Sequence, residues 1–359
     1  LAITQEMGMR LALVTRRGLA DLIREQFGVR ASLIIFAALV VANLGTVTVE
    51  LAAIKTTSTM LNIPAIPFLI LMIILSFLAV TRGNYKITQG IMLLVSFFYL
   101  VYVVSAVKAK PDWGMAVTNL LIPHGVDFTP AYIRQYLIIG MGVIGTMITP
   151  WGQFFISSFA FDKNIEASKV FFASVETYVG SFLTHIIAFF LVVATAATLF
   201  VNHIPLNSGE QAALAIEPFT GKFASVLFAV GLLNAGFIGL VVVSLSTAYA
   251  FSEFFGHSGS LDSNFKQSKS FYWIYILQIL VAGGIAVLPN ISLFKLAIFT
   301  QSINAFALPL VFYFLVRLTC NRDLMGAQTN SAFQKWFAIA GSVVIFIASI
   351  FSLVATFTG

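Results

Sequence analysis

The chain has 359 residues, of which 59% are apolar and 9% charged, with a mean hydropathy of +0.96 and a formal net charge of +6. An ordinary soluble domain carries about 25% charged residues and could not bury this much apolar surface. The composition therefore excludes a water-soluble fold and indicates an all-α integral membrane protein.

Apolar stretches long enough to cross a bilayer recur along the whole chain. A spanning helix needs about 20 mostly apolar residues, because its backbone polar groups must be satisfied within the segment. The hydropathy pattern predicts nine spans, at roughly 33–53, 67–81, 87–107, 135–160, 170–201, 224–250, 271–288, 296–316 and 337–358. Residues 1–15 read as the end of a further helix that is cut at Leu1, so we expect residues upstream of it.

The distribution of Lys and Arg orients these spans. Cytoplasmic connections collect basic residues, and most of the 20 Lys and Arg lie before the first full span or in every second connection after it. Topology thus accounts for the positive net charge, and no nucleic-acid partner is predicted. We expect a multi-pass protein of the inner cell membrane, with the lipid bilayer as its surroundings.

Enzymatic signatures are missing from the sequence. Cys320 is the only cysteine, the four histidines lack metal-site spacing, and no hydrolase motif is found. We predict that the chain is not an enzyme and holds no cofactor, and the sequence implies no protein partner.

Residues 18–29 form a short amphipathic pattern before the first full span. Leu19, Leu22 and Ile23 share one side of the predicted helix, and Asp21 and Arg24 lie on the other. Such a segment is expected to lie along the inner membrane surface as an anchor.

The span at 135–160 is the one that departs most from a plain helix. Pro150 removes a backbone donor and Gly152 favours a break near its middle. Broken helices let carriers present unwound carbonyls to an ion at the membrane midplane, although a kink without any ligand is the simpler alternative. The side chains clustered at the predicted break are Thr146, Thr149, Trp151 and Gln153.

Four further polar residues fall inside spans. Glu50 either pairs with Lys55 near the outer interface or acts in transport, and His185 favours a hydrogen bond to a neighbouring helix. Gln301 and Asn304 lie three apart and so share one helical face, where amide oxygens serve equally as cation ligands or as interhelical contacts.

Several motifs resemble the NRAMP family of divalent metal-ion transporters. The similarity is carried by QEMGMRLALVTRRGLADLIREQFG, by FAVGLLNAGFIG, and by TQSINAFALPLVFYFLV followed by NRDLMG. The resemblance implies a single transporter domain over 1–359 with the inverted five-helix repeat of LeuT-like carriers, here from late helix two to helix eleven. Residues 1–107 would complete the first repeat, 131–317 form the second, and 333–359 add a C-terminal helix. Helix one, which carries family ion ligands, would precede Leu1.

The departures from the family pattern imply the substrate. Where typical members have Met-Pro-His on helix six, this chain has Thr149-Pro150-Trp151, which looks like the NRAMP-related magnesium transporters. A thioether suits softer ions, whereas a hydroxyl suits Mg²⁺. The helix-three acid of proton-coupled members matches Val47, which cannot carry a proton.

The resemblance therefore predicts Mg²⁺ or Mn²⁺ uptake without proton coupling, by alternating access. The predicted metal ligands are Thr146, Thr149, Gln153 and Gln301, and the predicted lining or gating residues are Pro150, Trp151, Gly152, Glu50, Asn304 and His185. A proton-coupled Mn²⁺/Fe²⁺ transporter, an amino-acid or other organic-solute carrier of the same fold, and a non-transporting membrane subunit remain alternatives.

Overall fold

A computed structural model describes residues 1–82, 90, 97–122, 127–162, 165–257, 259–261, 263, 265–288 and 292–357. Throughout these residues the regular structure is helical. The longer helices are α1 Ala2–Thr15, α2 Leu19–Met60, α3 Ala65–Arg82, α4 Leu100–Lys108, α5 Trp113–Leu121, α6 Pro130–Met147, α7 Pro150–Asp162, α8 Val170–Thr195, α9 Ala224–Phe255, α10 Lys269–Ala286, α11 Leu293–Thr319 and α12 Ala332–Phe357. Short helical turns over Gly209–Ala213, Glu217–Thr220 and Arg322–Met325 connect some of them.

Within the described residues, eight helical segments are long and apolar enough to cross a membrane. They agree with eight of the nine spans predicted from hydropathy. The remaining one, 87–107, is present as the shorter apolar stretch Phe97–Lys108, and its start lies outside the described residues.

Helix α2 is the central packing element of the bundle. Its spanning part contacts α9, α10 and α11, and its buried residues Val47, Leu51 and Ile54 join an apolar cluster with side chains of α9 and α10. In lipid the hydrophobic effect does not favour contact between helices, because the acyl chains are also apolar. Close packing of this kind therefore stabilises the bundle. Trp151, Phe155 and Phe159 of α7 pack against the same cluster.

The segment before this span is built into the protein core. Gly28 has a φ of 82°, a left-handed conformation that glycine adopts without steric cost, and it turns the chain between 19–27 and the spanning part. Leu19, Leu22 and Ile23 are at most 1% exposed and pack with Phe154. The prediction that this apolar side rests on the membrane surface is therefore wrong, because protein covers it.

Glycine permits the closest approach between helices α6 and α11. A Cβ atom on Gly145 would overlap the backbone carbonyl of Gln301, whereas a Cβ on Gly140 of the same helix would meet no atom within 4 Å. Small residues at such crossings let backbones approach closely. The crossing lies less than one turn before the end of α6.

Replacing Gly145 with Ala should therefore destabilise the protein, because the backbones of α6 and α11 must separate. Overpacking of this kind costs about 1–3 kcal/mol. The matched change Gly140→Ala adds the same methyl group in open space. Thermal unfolding of the purified protein should show a lower melting temperature for Gly145→Ala alone, and equal melting temperatures would contradict the packing argument.

Candidate functional site

The break predicted within the span 135–160 is present, between helices α6 and α7. Helix α6 ends at Met147, Ile148 is extended with φ −127° and ψ 101°, and α7 begins at Pro150. Pro150 suits the first position of a helix, where its missing N–H has no partner to lose. The unwound residues are therefore Ile148 and Thr149, immediately before the proline.

The two helix ends at this break differ in charge. The last carbonyl groups of α6 lack helical partners and carry the negative end of its dipole, which favours a cation. The positive end of α7 is capped instead, because the hydroxyl oxygen of Thr149 accepts a hydrogen bond from the N–H of Gly152 at 3.2 Å. A cation at the break would thus lie nearer the α6 end and the two threonines.

A cavity of about 400 Å³ opens beside the break. It is bounded by residues of α1, α6, α7 and α8. Of the predicted site residues, Thr146, Thr149, Trp151 and Gly152 line it. These four residues are the part of the prediction that the structure brings together.

Polar side chains on the cavity wall also come from α1 and α8. Gln5 of α1 lines the cavity and accepts a hydrogen bond from Ser181 of α8 at 3.3 Å. Glu176, also on α8, is the one carboxylate among the residues that line this cavity. Gln5 was not predicted, although an amide within the apolar stretch that opens the chain was a usable signal.

Gln153 is fully buried within α7 and does not line the cavity. Neither atom of its side-chain amide has a hydrogen-bond partner among the described residues. Leaving such a group unpaired lowers stability by about 1–3 kcal/mol, so an amide at this position destabilises the protein unless it binds a ligand. The neighbouring Pro150 is also buried, and the Trp151 carbonyl accepts a hydrogen bond from Ser246 of α9 at 2.9 Å.

Gln301 and Asn304 share one face of α11, as their spacing predicted. The amide nitrogen of Asn304 donates to Gln301 Oε1 at 2.6 Å and to Thr46 Oγ1 of α2 at 3.0 Å. Neither residue lines the cavity at the break. The backbone of Gln301 touches Gly145 near the end of α6, while its side-chain oxygen is bound to Asn304.

Glu50 and His185 lie away from the cavity. The Glu50 carboxylate lies against Gly239 of α9, while Lys55 donates to the Ala286 carbonyl at 3.1 Å. The alternative in which Glu50 pairs with Lys55 is thus not what the structure has. His185 is exposed, and its Nδ1 is 2.7 Å from the Ser181 carbonyl of its own helix, so the expected bond to a neighbouring helix is wrong.

The family model for natural resistance-associated macrophage protein-like (Nramp) sequences matches residues 1–355. The chain belongs to the Nramp family. This membership bears out the resemblance and the multi-pass membrane location, with eight spans in the described residues.

Curated relatives include the divalent metal cation transporter MntH of Verminephrobacter eiseniae. It is 21% identical over 366 residues, covering 98% of this chain and 79% of that protein. The MntH of Caldanaerobacter subterraneus is 22% identical over 281 residues, covering 76% of this chain. The match spans only 63% of that relative's length. These Nramp relatives are transporters, in line with the prediction that the chain is not an enzyme.

Solved structures with the same fold include the manganese transporter of Eremococcus coleocola in complex with an aromatic bis-isothiourea compound. It is 18% identical, with a TM-score of 0.72 over 98% of this chain and 77% of that one. MhsT in complex with L-phenylalanine is 11% identical, with a TM-score of 0.63 over 99% and 88%. The LeuT-like fold predicted for this Nramp chain is confirmed.

Proposed function

We propose that this Nramp protein is a divalent metal cation transporter that carries Mg²⁺ and Mn²⁺ by alternating access, without moving protons. The observation that carries the proposal is the break at Ile148–Thr149, where the end of α6 and two threonines border one cavity. The curated relatives named above are divalent metal cation transporters, which supports the substrate class.

The choice of ion rests on the ligand chemistry at the break. Thr146 and Thr149 offer hard oxygen ligands, and no sulfur ligand stands at position 149. Hard oxygens suit Mg²⁺ and Mn²⁺, and a cavity with room for water suits an ion that dehydrates reluctantly. Met147 and Met9 also line the cavity, but Met147 lies before the unwound pair.

The absence of proton coupling is supported by two positions. Val47, at the place of the acid in proton-coupled relatives, is completely buried in the apolar cluster around Leu51 and Leu240. Trp151 stands where such relatives have a histidine. A proton needs a chain of titratable groups to cross a membrane, and neither residue can contribute to one.

Flux measurements on reconstituted protein test the proposal. Vesicles loaded with Mg²⁺-, Mn²⁺- and pH-sensitive dyes should report entry of both metals with no acidification. Acidification that accompanies Mn²⁺, without Mg²⁺ entry, would assign the chain to the proton-coupled alternative. Uptake of an amino acid without metal flux would assign it to the organic-solute carriers.

A second measurement addresses Gln153. If its unpaired amide serves the ion, Gln153→Met should lower Mg²⁺ flux while leaving the melting temperature unchanged or higher, because it removes a buried unsatisfied group of about 1–3 kcal/mol. An amide with no role in transport would show normal flux, again with a melting temperature that is unchanged or higher, so the flux decides between the two. The comparison variant is Gln5→Met, which removes an amide that does have a hydrogen-bond partner, Ser181.

A further inference from the structure

A small groove lies at the cytoplasmic end of the bundle and shares no lining residue with the cavity at the break. Its volume is about 140 Å³, and its walls come from the start of the spanning part of α2 and the end of α9. The lining residues are Arg24, Val29, Ser32, Leu33, Phe36, Phe254 and Phe255. All but Arg24 and Ser32 are apolar, so the groove has one charged end.

The turn at Gly28 creates this arrangement. Residues 29, 33 and 36 share one helical face, so Val29, Leu33 and Phe36 form a continuous apolar wall after the turn. Before the turn, Arg24 extends over Gly256, where a Cβ atom would come within 2.9 Å of its Nη1. Gly256 ends helix α9 in a left-handed conformation, and the guanidinium therefore sits at the inner rim of the groove.

Arg24 has no ion-pair partner among the described residues. The acidic residues on the same short segment are engaged by Arg17, which forms an ion pair with Glu25 and lies 3.9 Å from Asp21. An exposed cation thus stands at one end of an apolar groove.

The walls of the groove are open to the surroundings of the protein. Val29 is 63% exposed, Leu33 49% and Phe255 40%. Phe36 is held in place by edge-on contacts with Phe254 and Phe255, at ring separations of 5.7 and 5.4 Å. By the distribution of basic residues this end faces the cytoplasm, where the leaflet carries anionic lipids.

We propose that the groove binds one anionic phospholipid of the cytoplasmic leaflet. The headgroup phosphate lies on the Arg24 guanidinium, and the upper part of an acyl chain lies along Val29, Leu33 and Phe36. The volume is below the roughly 300–1,000 Å³ of a pocket for a soluble ligand, whereas a lipid needs only part of its chain enclosed. Basic pockets between helices on the cytoplasmic side are a recognised form of anionic-lipid site.

We expect lipid binding at this groove to stabilise the contact between α2 and α9. The same inner segment is already attached on its other side, where the N–H of Leu19 donates to Ser157 and the N–H of Ala20 to Glu253. A lipid that bridges Arg24 and the α9 end adds a further contact to the folded state only. Ligands that bind the folded state alone raise the melting temperature with their concentration.

Thermal unfolding of the full chain in neutral detergent tests the proposal, with phosphatidylglycerol, phosphatidylcholine or inorganic phosphate added. Phosphatidylglycerol should raise the melting temperature, and native mass spectrometry should show one tightly held copy. Arg24→Gln should weaken that binding about fivefold, as expected for one arginine near an anionic surface. Arg322→Gln, an exposed cytoplasmic arginine outside the groove, should bind as the unaltered protein does.

A second variant probes the apolar wall. Leu33→Trp fills the groove while leaving the Arg24 charge in place and should also weaken phosphatidylglycerol binding. Equal binding by Arg24→Gln and Arg322→Gln would overturn the proposal, as would an equal melting shift with phosphatidylcholine. A shift of the same size with inorganic phosphate would show an anion site without a lipid chain and would overturn it too.

Discussion

Replacing Arg10 with Met is expected to lower the free energy of unfolding by about 3–5 kcal/mol, the cost of leaving one partner of a buried ion pair uncompensated. Arg10 and Glu6 lie one turn apart on α1, with side chains 5% and 4% exposed, and their charged atoms are 2.8 Å apart. With Arg10 removed, the Glu6 carboxylate would remain buried without a countercharge.

Long-range hydrogen bonds make this pair a junction between helices. Glu6 accepts from Ser174 of α8 at 3.0 Å and from Gln334 of α12 at 3.1 Å. Arg10 donates to the Gln328 carbonyl and to Asn330 Oδ1, the latter at 2.8 Å. The C-terminal helix is thereby fastened to two of the helices that bound the cavity.

Arg17→Met provides the matched control for the Arg10 change. Arg17 also has acidic partners, but its side chain is 47% exposed, so water screens the loss. Equilibrium unfolding in mixed micelles should show a large change for Arg10→Met and none that can be measured for Arg17→Met. The double change Glu6→Gln with Arg10→Met should recover part of the loss, since it removes the stranded charge. An unaltered unfolding midpoint for Arg10→Met would show that the pair contributes nothing.

The helical spans and the break could be predicted from the sequence because each depends on a local signal. A run of apolar residues gives a span whatever its neighbours are, and Pro150 disrupts the backbone of its own helix. The break lies just before the predicted position at Pro150 and Gly152. A proline favours the first turn of the following helix, so Ile148 and Thr149 are the unwound residues.

The long-range contacts could not be predicted in the same way. Hydropathy does not distinguish an apolar face covered by lipid from one covered by protein, so it predicts a membrane-surface position for Leu22 and Ile23, which protein covers instead. The partners of Glu6 and Arg10 lie up to 328 residues away in sequence. The side chain of Gln301 accepts from Asn304, which also donates to Thr46 of α2, and the shared helical face indicates only the first of these contacts.

Thr149→Met is expected to shift the preference of the transporter from Mg²⁺ towards Mn²⁺ and Cd²⁺. The change puts a thioether at the unwound pair in place of a hydroxyl, and sulfur competes well only for softer ions. Single contacts of this type discriminate by about 1–3 kcal/mol, so the Mn²⁺/Mg²⁺ flux ratio should rise about 10- to 200-fold. Vesicle flux with both ions present measures that ratio directly.

Two controls separate selectivity from stability in this experiment. Thr149→Ala also removes the hydrogen bond that caps α7, at a cost of about 1 kcal/mol, but adds no sulfur. Thr184→Met places a thioether on the α8 wall of the same cavity, away from the break. Thr149→Met should raise the flux ratio beyond that of Thr149→Ala, which only loses the hydroxyl ligand, and Thr184→Met should leave it unchanged, because only at position 149 does the sulfur reach an ion held by the end of α6. An equal rise for Thr184→Met would move the selective contact from the break to the cavity wall, and a constant ratio in all three variants would exclude Thr149 as a ligand.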